Sequence, residues 1–387
     1  MTVHREEPAA EVPDNERRAI QIMRDEIATI PSVIADQVER LRPALRDLAR
    51  SIGKDARHIV LTGCGDSHFA GIATRLAFQR VTGLRVDATE ALEFTRYDVR
   101  YVPIDPPPVL VAISYSGEVG RTIEAVGTAA EFGWRTVALT GRSEARLARA
   151  VAEPILMHVP TLGFSPGTST YVAMLTGLFV LATEIARVRG RHAQANDLDG
   201  ALGNVAELAR QTLEAGEDAA RAAASLIATA PTSTFIGAGP SRATAAFGAA
   251  KLFEGPQRYG VVQDLEEWAH EQYFISGPAT PIVVIAPSGA SRDRAAELLE
   301  EMAFVGSPAI LVSDVIDDAA AHDARICLPI AKGLEEPLSP LLTCLPLVQT
   351  AFFVAELLGA RSYGFASPEH EREHYQTIHR ATRGIPA

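Results

Sequence analysis

Five residues with the chemistry to hold a ligand, Ser114-Tyr115-Ser116-Gly117-Glu118, follow directly on the apolar run 108–113. A short run dominated by β-branched residues is expected to be a buried parallel strand. Hydroxyls and a glycine at its carboxyl end stand where open α/β sheets bind ligands. A helix starting just after them would aim free N–H groups and its positive dipole end at the same place. That chemistry suits a small anionic or polyhydroxyl ligand. The same residues also suit an ordinary βα turn with an N-capping serine, and the stretch alone leaves both open.

A turn of this kind needs a sheet to hold it. Apolar spacing over 18–48 is helical, with a break expected near Pro31. Strands are expected at 57–62, leading into Gly63-Cys64-Gly65-Asp66-Ser67, then near 84–88, at 109–114, at 136–140 and at 155–159. Strands alternating with helices at this interval predict a parallel, doubly wound α/β sheet. A helical stretch over 198–230 leads to a second copy of the pattern: Thr234-Phe235-Ile236 enters Gly237-Ala238-Gly239, and 282–285 enters Ser288-Gly289. A further strand follows at 310–312, then a helix over 341–358 and a polar tail from Arg361. Two copies of one flavodoxin-like fold are the economical reading. The expected division is a disordered tail at 1–17, domains at 18–195 and 196–360, and a C-terminal tail at 361–387.

The chain of 387 residues is 47% hydrophobic and 22% charged, enough for two globular cores. Its net charge of -12, without any basic run, argues against nucleic-acid partners and anionic membrane surfaces. Cys64, Cys327 and Cys344 lack metal-site or disulfide spacing, which fits a reduced, cytoplasmic compartment. No secretory signal is expected. The apolar run 171–183, interrupted at Glu184, and the run 340–355, broken by Pro346 and Gln349, are both expected to be core helices and not membrane spans.

Over residues 23–358 the sequence resembles the sugar isomerase (SIS) family, and more narrowly the isomerase halves of its glucosamine-6-phosphate synthases. The resemblance rests on Met23-Arg24-Asp25-Glu26-Ile27, Pro31-Ser32-Val33-Ile34, Cys64-Gly65-Asp66-Ser67 and the Ser114–Glu118 turn. It continues through Ser169-Thr170, Lys251-Leu252-Phe253-Glu254 and Glu267-Trp268-Ala269-His270. Thr2 stands where a glutaminase domain would have its cysteine, so that domain is not expected.

The resemblance implies a sugar or sugar phosphate held by Gly65, Asp66, Ser67, Ser114, Tyr115, Ser116 and Ser169, without metal or other cofactor. Asp66 and Val119 replace phosphate-binding threonines, so the sugar is better supported than its phosphate. An aspartate facing a dianion is unfavourable unless it turns away to cap a helix, and Arg121 is a candidate replacement cation. Glu254 is implied as the base of an enediol reaction. His270, sixteen positions on, is implied as the ring-opening acid/base, reaching a neighbouring subunit's site in a homodimer with shared active sites. Lys251 either neutralises the intermediate's charge or merely pairs with Glu254 at i,i+3.

The last lysine is Lys332, so no Schiff base is expected from the tail, whose His370, His374 and His379 are read as metal ligands, an extra acid/base, or parts of a solvated helix. An aldose–ketose isomerase is therefore expected. The alternatives are a deglycase that releases an amine from an Amadori-type sugar and a non-catalytic sugar-phosphate-binding regulator.

Overall fold

The computed structural model describes residues 14–101, 106–360 and 362–377. β1 (His58–Gly63), β2 (Arg85–Glu90), β3 (Val109–Ser114), β4 (Arg135–Thr140) and β5 (Pro154–Leu156) form a parallel sheet in the order β2-β1-β3-β4-β5. β6 (Ser233–Gly237), β7 (Gly260–Asp264), β8 (Ile282–Ile285), β9 (Ala309–Ser313) and β10 (Ile326–Pro329) form the second, in the order β10-β9-β8-β6-β7. Read from opposite edges, the two orders are the same. The chain is thus the two-sheet α/β protein that its internal repeat implied.

Strands β3, β8 and β9 are apolar apart from the serine that closes β3 and β9, and are buried over their whole length, as a sheet covered by helices on both faces demands. The edge strands β7 and β10 are where sequence reading failed. β7 opens on a glycine and leaves Val261 and Val262 partly exposed, while β10 ends in a proline that only an edge tolerates. In the first sheet the strand order reverses between β1 and β3, which places the ligand position of such folds there.

Two helix expectations need correction. The first helix runs unbroken from Asp14 to Ile52 through both Pro31 and Pro43. Each proline removes one hydrogen bond at a cost of about 3 kcal/mol. Burial of Ile27, Ile30, Val33 and Ile34 against the core offsets this, each contributing about 1.5–3 kcal/mol. The helix also takes in 14–17, part of the stretch expected to be disordered; residues 1–13 lie outside the described residues.

The helix Ser169–Val188 likewise continues past Glu184, whose buried carboxylate meets Arg42 at 3.0 Å and Arg187 at 2.8 Å. This helix and 340–358 are each long and apolar enough to cross a bilayer by length and composition, and both are packed inside the core. A 38-residue helix, His192–Thr229, joins the two sheets.

Candidate functional site

A cavity of about 580 Å³ opens at the carboxyl ends of β1 and β3. Its floor is the pair of turns after those strands, which carry Gly65, Asp66, Ser67, Ser114, Tyr115 and Ser116. Its walls are Glu26 from the first helix, the loop 160–167, Glu254 from the helix Pro240–Glu254, and Tyr363 from the C-terminal segment. The turn after β3 depends on Gly117, whose φ is +67°. A Cβ there would lie 2.5 Å from the Ala145 Cβ and 2.7 Å from the Thr140 Oγ1.

The Ser114 Oγ accepts the Gly117 N–H at 3.2 Å, and the Ser116 Oγ accepts the Glu118 N–H at 3.3 Å. Neither serine caps the following helix, Gly120–Glu131: Val119 holds the N-cap position, and no side chain caps it. The helix N-terminus therefore keeps its unspent N–H groups, as anion binding requires. Arg121 lines the same end of the cavity and pairs with Glu124, which also binds Arg96 at 2.5 Å. Ser67 donates to the Met174 Sδ at 3.4 Å, and the Tyr115 hydroxyl donates to the Val159 carbonyl at 3.4 Å. Ser169 does not line the cavity. It is fully buried with its hydroxyl unpartnered, and Thr170 lines the wall instead.

The acidic end is organised by Lys251, which has no exposed surface. Its Nζ lies 2.8 Å from the Asp66 Oδ2 and 2.6 Å from the Glu254 Oε2. Burial would lower the lysine's pKa, but the two carboxylates outweigh it and hold it above the ordinary value. Asp66 thus spends its charge on Lys251. It does not cap its own helix, since no side-chain bond is made at that N-terminus.

Burial raises the pKa of Glu254, and Asp66 adds to the rise while Lys251 opposes it. The result is a buried, hydrogen-bonded carboxyl group with a raised pKa. Glu26, a third carboxyl group, accepts Ser165 Oγ at 2.7 Å and Thr168 Oγ1 at 3.4 Å, and burial raises its pKa too. Among the described residues no group of three or more His, Cys, Asp or Glu side chains is arranged to hold a metal ion.

His270 is not brought to this cavity within one chain. It ends the short helix Leu265–His270 after β7, its side chain is 65% exposed, and its Nε2 lies 3.2 Å from Glu266 Oε1. His370 and His374 sit on an exposed helix, Pro368–Thr377, with their rings against Phe365; His379 lies outside the described residues.

Sequence reasoning missed Glu26 and Tyr363 as cavity residues. Glu26 stood within the first matching motif, but an isolated carboxylate on a long amphipathic helix reads as solvated. Tyr363 arrives through a left-handed backbone, φ +53°, that no local signal announces.

The model of the SIS domain matches residues 54–183 and again 226–355. The chain belongs to the SIS domain family. Among its relatives, the isomerizing glutamine–fructose-6-phosphate aminotransferase of Thermococcus kodakarensis is 29% identical over 87% of this chain and 55% of that protein. The counterpart from Aquifex aeolicus is 28% identical over 79% of this chain and 50% of that protein. The SIS chain thus spans about half the length of these relatives.

Solved structures share the fold. The C-terminal domain of the glucosamine-fructose-6-phosphate aminotransferase from Francisella tularensis superposes with a TM-score of 0.76 at 19% identity, covering 88% of this chain and 97% of that one. The tagatose-6-phosphate ketose/aldose isomerase from Escherichia coli gives 0.70 at 16% identity, covering 90% and 96%.

Proposed function

We propose that this SIS chain is an isomerase-type enzyme acting on an open-chain sugar or sugar phosphate, with Glu254 as the proton-shuttling base. The observation that carries the reading is the position of Glu254. Its carboxylate lines a cavity floored by strand-end hydroxyls and is held in place by a buried ammonium. The polar floor, with Ser67, Ser114 and Ser116 beside an uncapped helix N-terminus, supplies bonds to sugar hydroxyls or a phosphate.

In the reaction, Glu254 takes the proton from C2 of an open-chain aldose. The C–H electron pair becomes the C1–C2 double bond, and the carbonyl pair moves onto O1. The O2 hydroxyl proton passes to O1, O2 becomes the carbonyl, and Glu254 returns its proton to C1. Ring opening falls to His270 of a second copy, because a single chain keeps that histidine outside the cavity.

Lys251 supports an isomerase over imine chemistry. An imine needs a neutral amine, and this one is locked as an ammonium between two carboxylates. Lys251 stands behind the two carboxylates, and the described residues that line the cavity include no lysine. The same fact keeps the deglycase reading alive, since expulsion of an amine from a keto sugar can start from the same enediol without a lysine.

The test is deuterium incorporation from D₂O into fructose-6-phosphate, glucosamine-6-phosphate and N-substituted fructosamine phosphates, followed by NMR. Exchange at C1 or C2 that disappears in Glu254→Gln supports the isomerase, and release of free amine selects the deglycase. Binding of these sugars with no exchange in any of them would sink both.

A further inference from the structure

We propose that Tyr363 is the hydrogen-bond donor to the oxyanion that develops during the proton shuttle, delivered by a C-terminal segment that is pinned to the same helix as the base. This rests on the reading of Glu254 given above and deepens it.

Three observations converge on this residue. Its hydroxyl lines the cavity, 3.5 Å from the Glu254 Oε2, and donates to the Ser165 carbonyl at 3.2 Å. Its backbone N–H donates to the Glu254 carbonyl oxygen at 2.7 Å, so base and phenol share one anchor. Its ring lies against Phe164, with centroids 4.8 Å apart, and its backbone holds a φ of +53°, a conformation that costs energy for a non-glycine residue. A side chain held in that way by a bond, a ring contact and a strained backbone is over-determined in position, as electrostatic stabilisation of a developing charge requires.

The chemistry of the phenol also fits donation better than acceptance. Burial and the nearby carboxylates push its ionisation far above the usual range, so it keeps its proton at any working pH. It is not a base. In this structure the hydroxyl faces the Ser165 carbonyl and, more distantly, the Glu254 carboxylate. Once Glu254 has taken the substrate proton and is neutral, an enediolate oxygen is the stronger acceptor, because hydrogen bonds to charged groups are about twice as strong as neutral ones. No proton need leave Tyr363 in this role: it bonds O1 while charge is there and releases it when the ketose forms. Asp66 and Glu254 are both tied to Lys251, and Glu26 is tied to Ser165 and Thr168, so none of the cavity's carboxyl groups supplies such a donor while ionised.

The experiment compares wild type, Glu254→Gln and Tyr363→Phe in the full chain. Phenylalanine keeps the contact with Phe164 and the backbone bond to Glu254. Deuterium exchange should fall about 100-fold in Tyr363→Phe, the usual cost of one oxyanion donor, with KM changed less than about threefold. Exchange at the wild-type rate in Tyr363→Phe, with Glu254→Gln inactive, overturns the Tyr363 assignment and leaves the base in place. Exchange that survives in Glu254→Gln removes the base and this inference with it.

A binding measurement reads the same role without turnover. An open-chain sugar hydroxamate, whose anionic O–C–N–O group imitates the enediolate, is titrated against the polyol of equal length. Wild type should prefer the hydroxamate, and Tyr363→Phe should lose about tenfold or more of that preference. An equal preference in both proteins, or none in wild type, overturns the assignment.

Discussion

Lys251 reads from sequence either as a cation that neutralises an intermediate or as an i,i+3 partner of Glu254, and in the structure it is the most completely buried charge in the site and answers two carboxylates. Removing it strands Asp66 and Glu254 facing each other. Lys251→Met should therefore cost about 3 kcal/mol or more of stability, measured by urea unfolding at neutral pH. The raised pKa of Glu254 sets a pH dependence with a definite sign. The base works only when ionised, so activity should be lost as pH falls through a value above the ordinary carboxylate range, and the acid limb of kcat/KM against pH checks this.

Glu26 gives the matching statement about stability. A carboxyl group whose folded pKa is raised binds its proton more tightly in the folded state. Its contribution is fully present below its unfolded pKa and is lost as pH rises through the folded one. Glu26→Gln, which retains an acceptor for Ser165, should leave the melting temperature unchanged at low pH and raise it at neutral pH. An unchanged difference across that pH range would show that Glu26 is not held against its preferred charge.

The βα turn after β3 shows how one backbone position governs several side chains. Gly117→Ala forces a Cβ into a left-handed position already crowded by Ala145 and Thr140. The conformational term alone costs about 1–2 kcal/mol, and relief of the contacts must move Ser116 away from the cavity floor. Sugar affinity measured by calorimetry should fall together with stability in this variant. That turn, with its strand, was readable in sequence because a β-branched run followed by serine and glycine has few other structures open to it. The Ser-capped helix that the same residues suggested is not formed, since both serine oxygens accept N–H groups within the turn itself. The unbroken helix through Pro31 was not readable at all: propensity counts the lost hydrogen bond, and only packing supplies the apolar burial that offsets it.

Across the molecule, the two sheets are used unequally. The cavity draws its floor from the first, while the second half contributes Glu254 and Lys251 from a single helix and then the Tyr363 segment. His270 is exposed and is not among the described residues lining its own chain's cavity. If a second copy supplies it, two inactive variants should rescue each other. Mixing Glu254→Gln with His270→Asn under conditions of subunit exchange should restore about a quarter of wild-type activity, since half the dimers are mixed and each of these holds one intact site. A mixture as inactive as its parts would show that no second copy supplies His270 to the site.

The alternation of apolar runs and glycine turns, and its repetition, was enough to predict a two-domain parallel α/β protein. Those patterns are local, and a parallel sheet buried on both faces has a distinctive local signature. The resemblance to the SIS family pointed to Glu254 and the strand-end position to the serine turns, and these line one cavity. The charge arrangement was beyond its reach. Asp66 and Lys251 lie 185 residues apart, and Tyr363 is 109 residues from the carboxylate it approaches. Whether an aspartate opposes a ligand or spends its charge on a buried lysine depends on distance and desolvation, and both arise only when the two halves of the chain pack together.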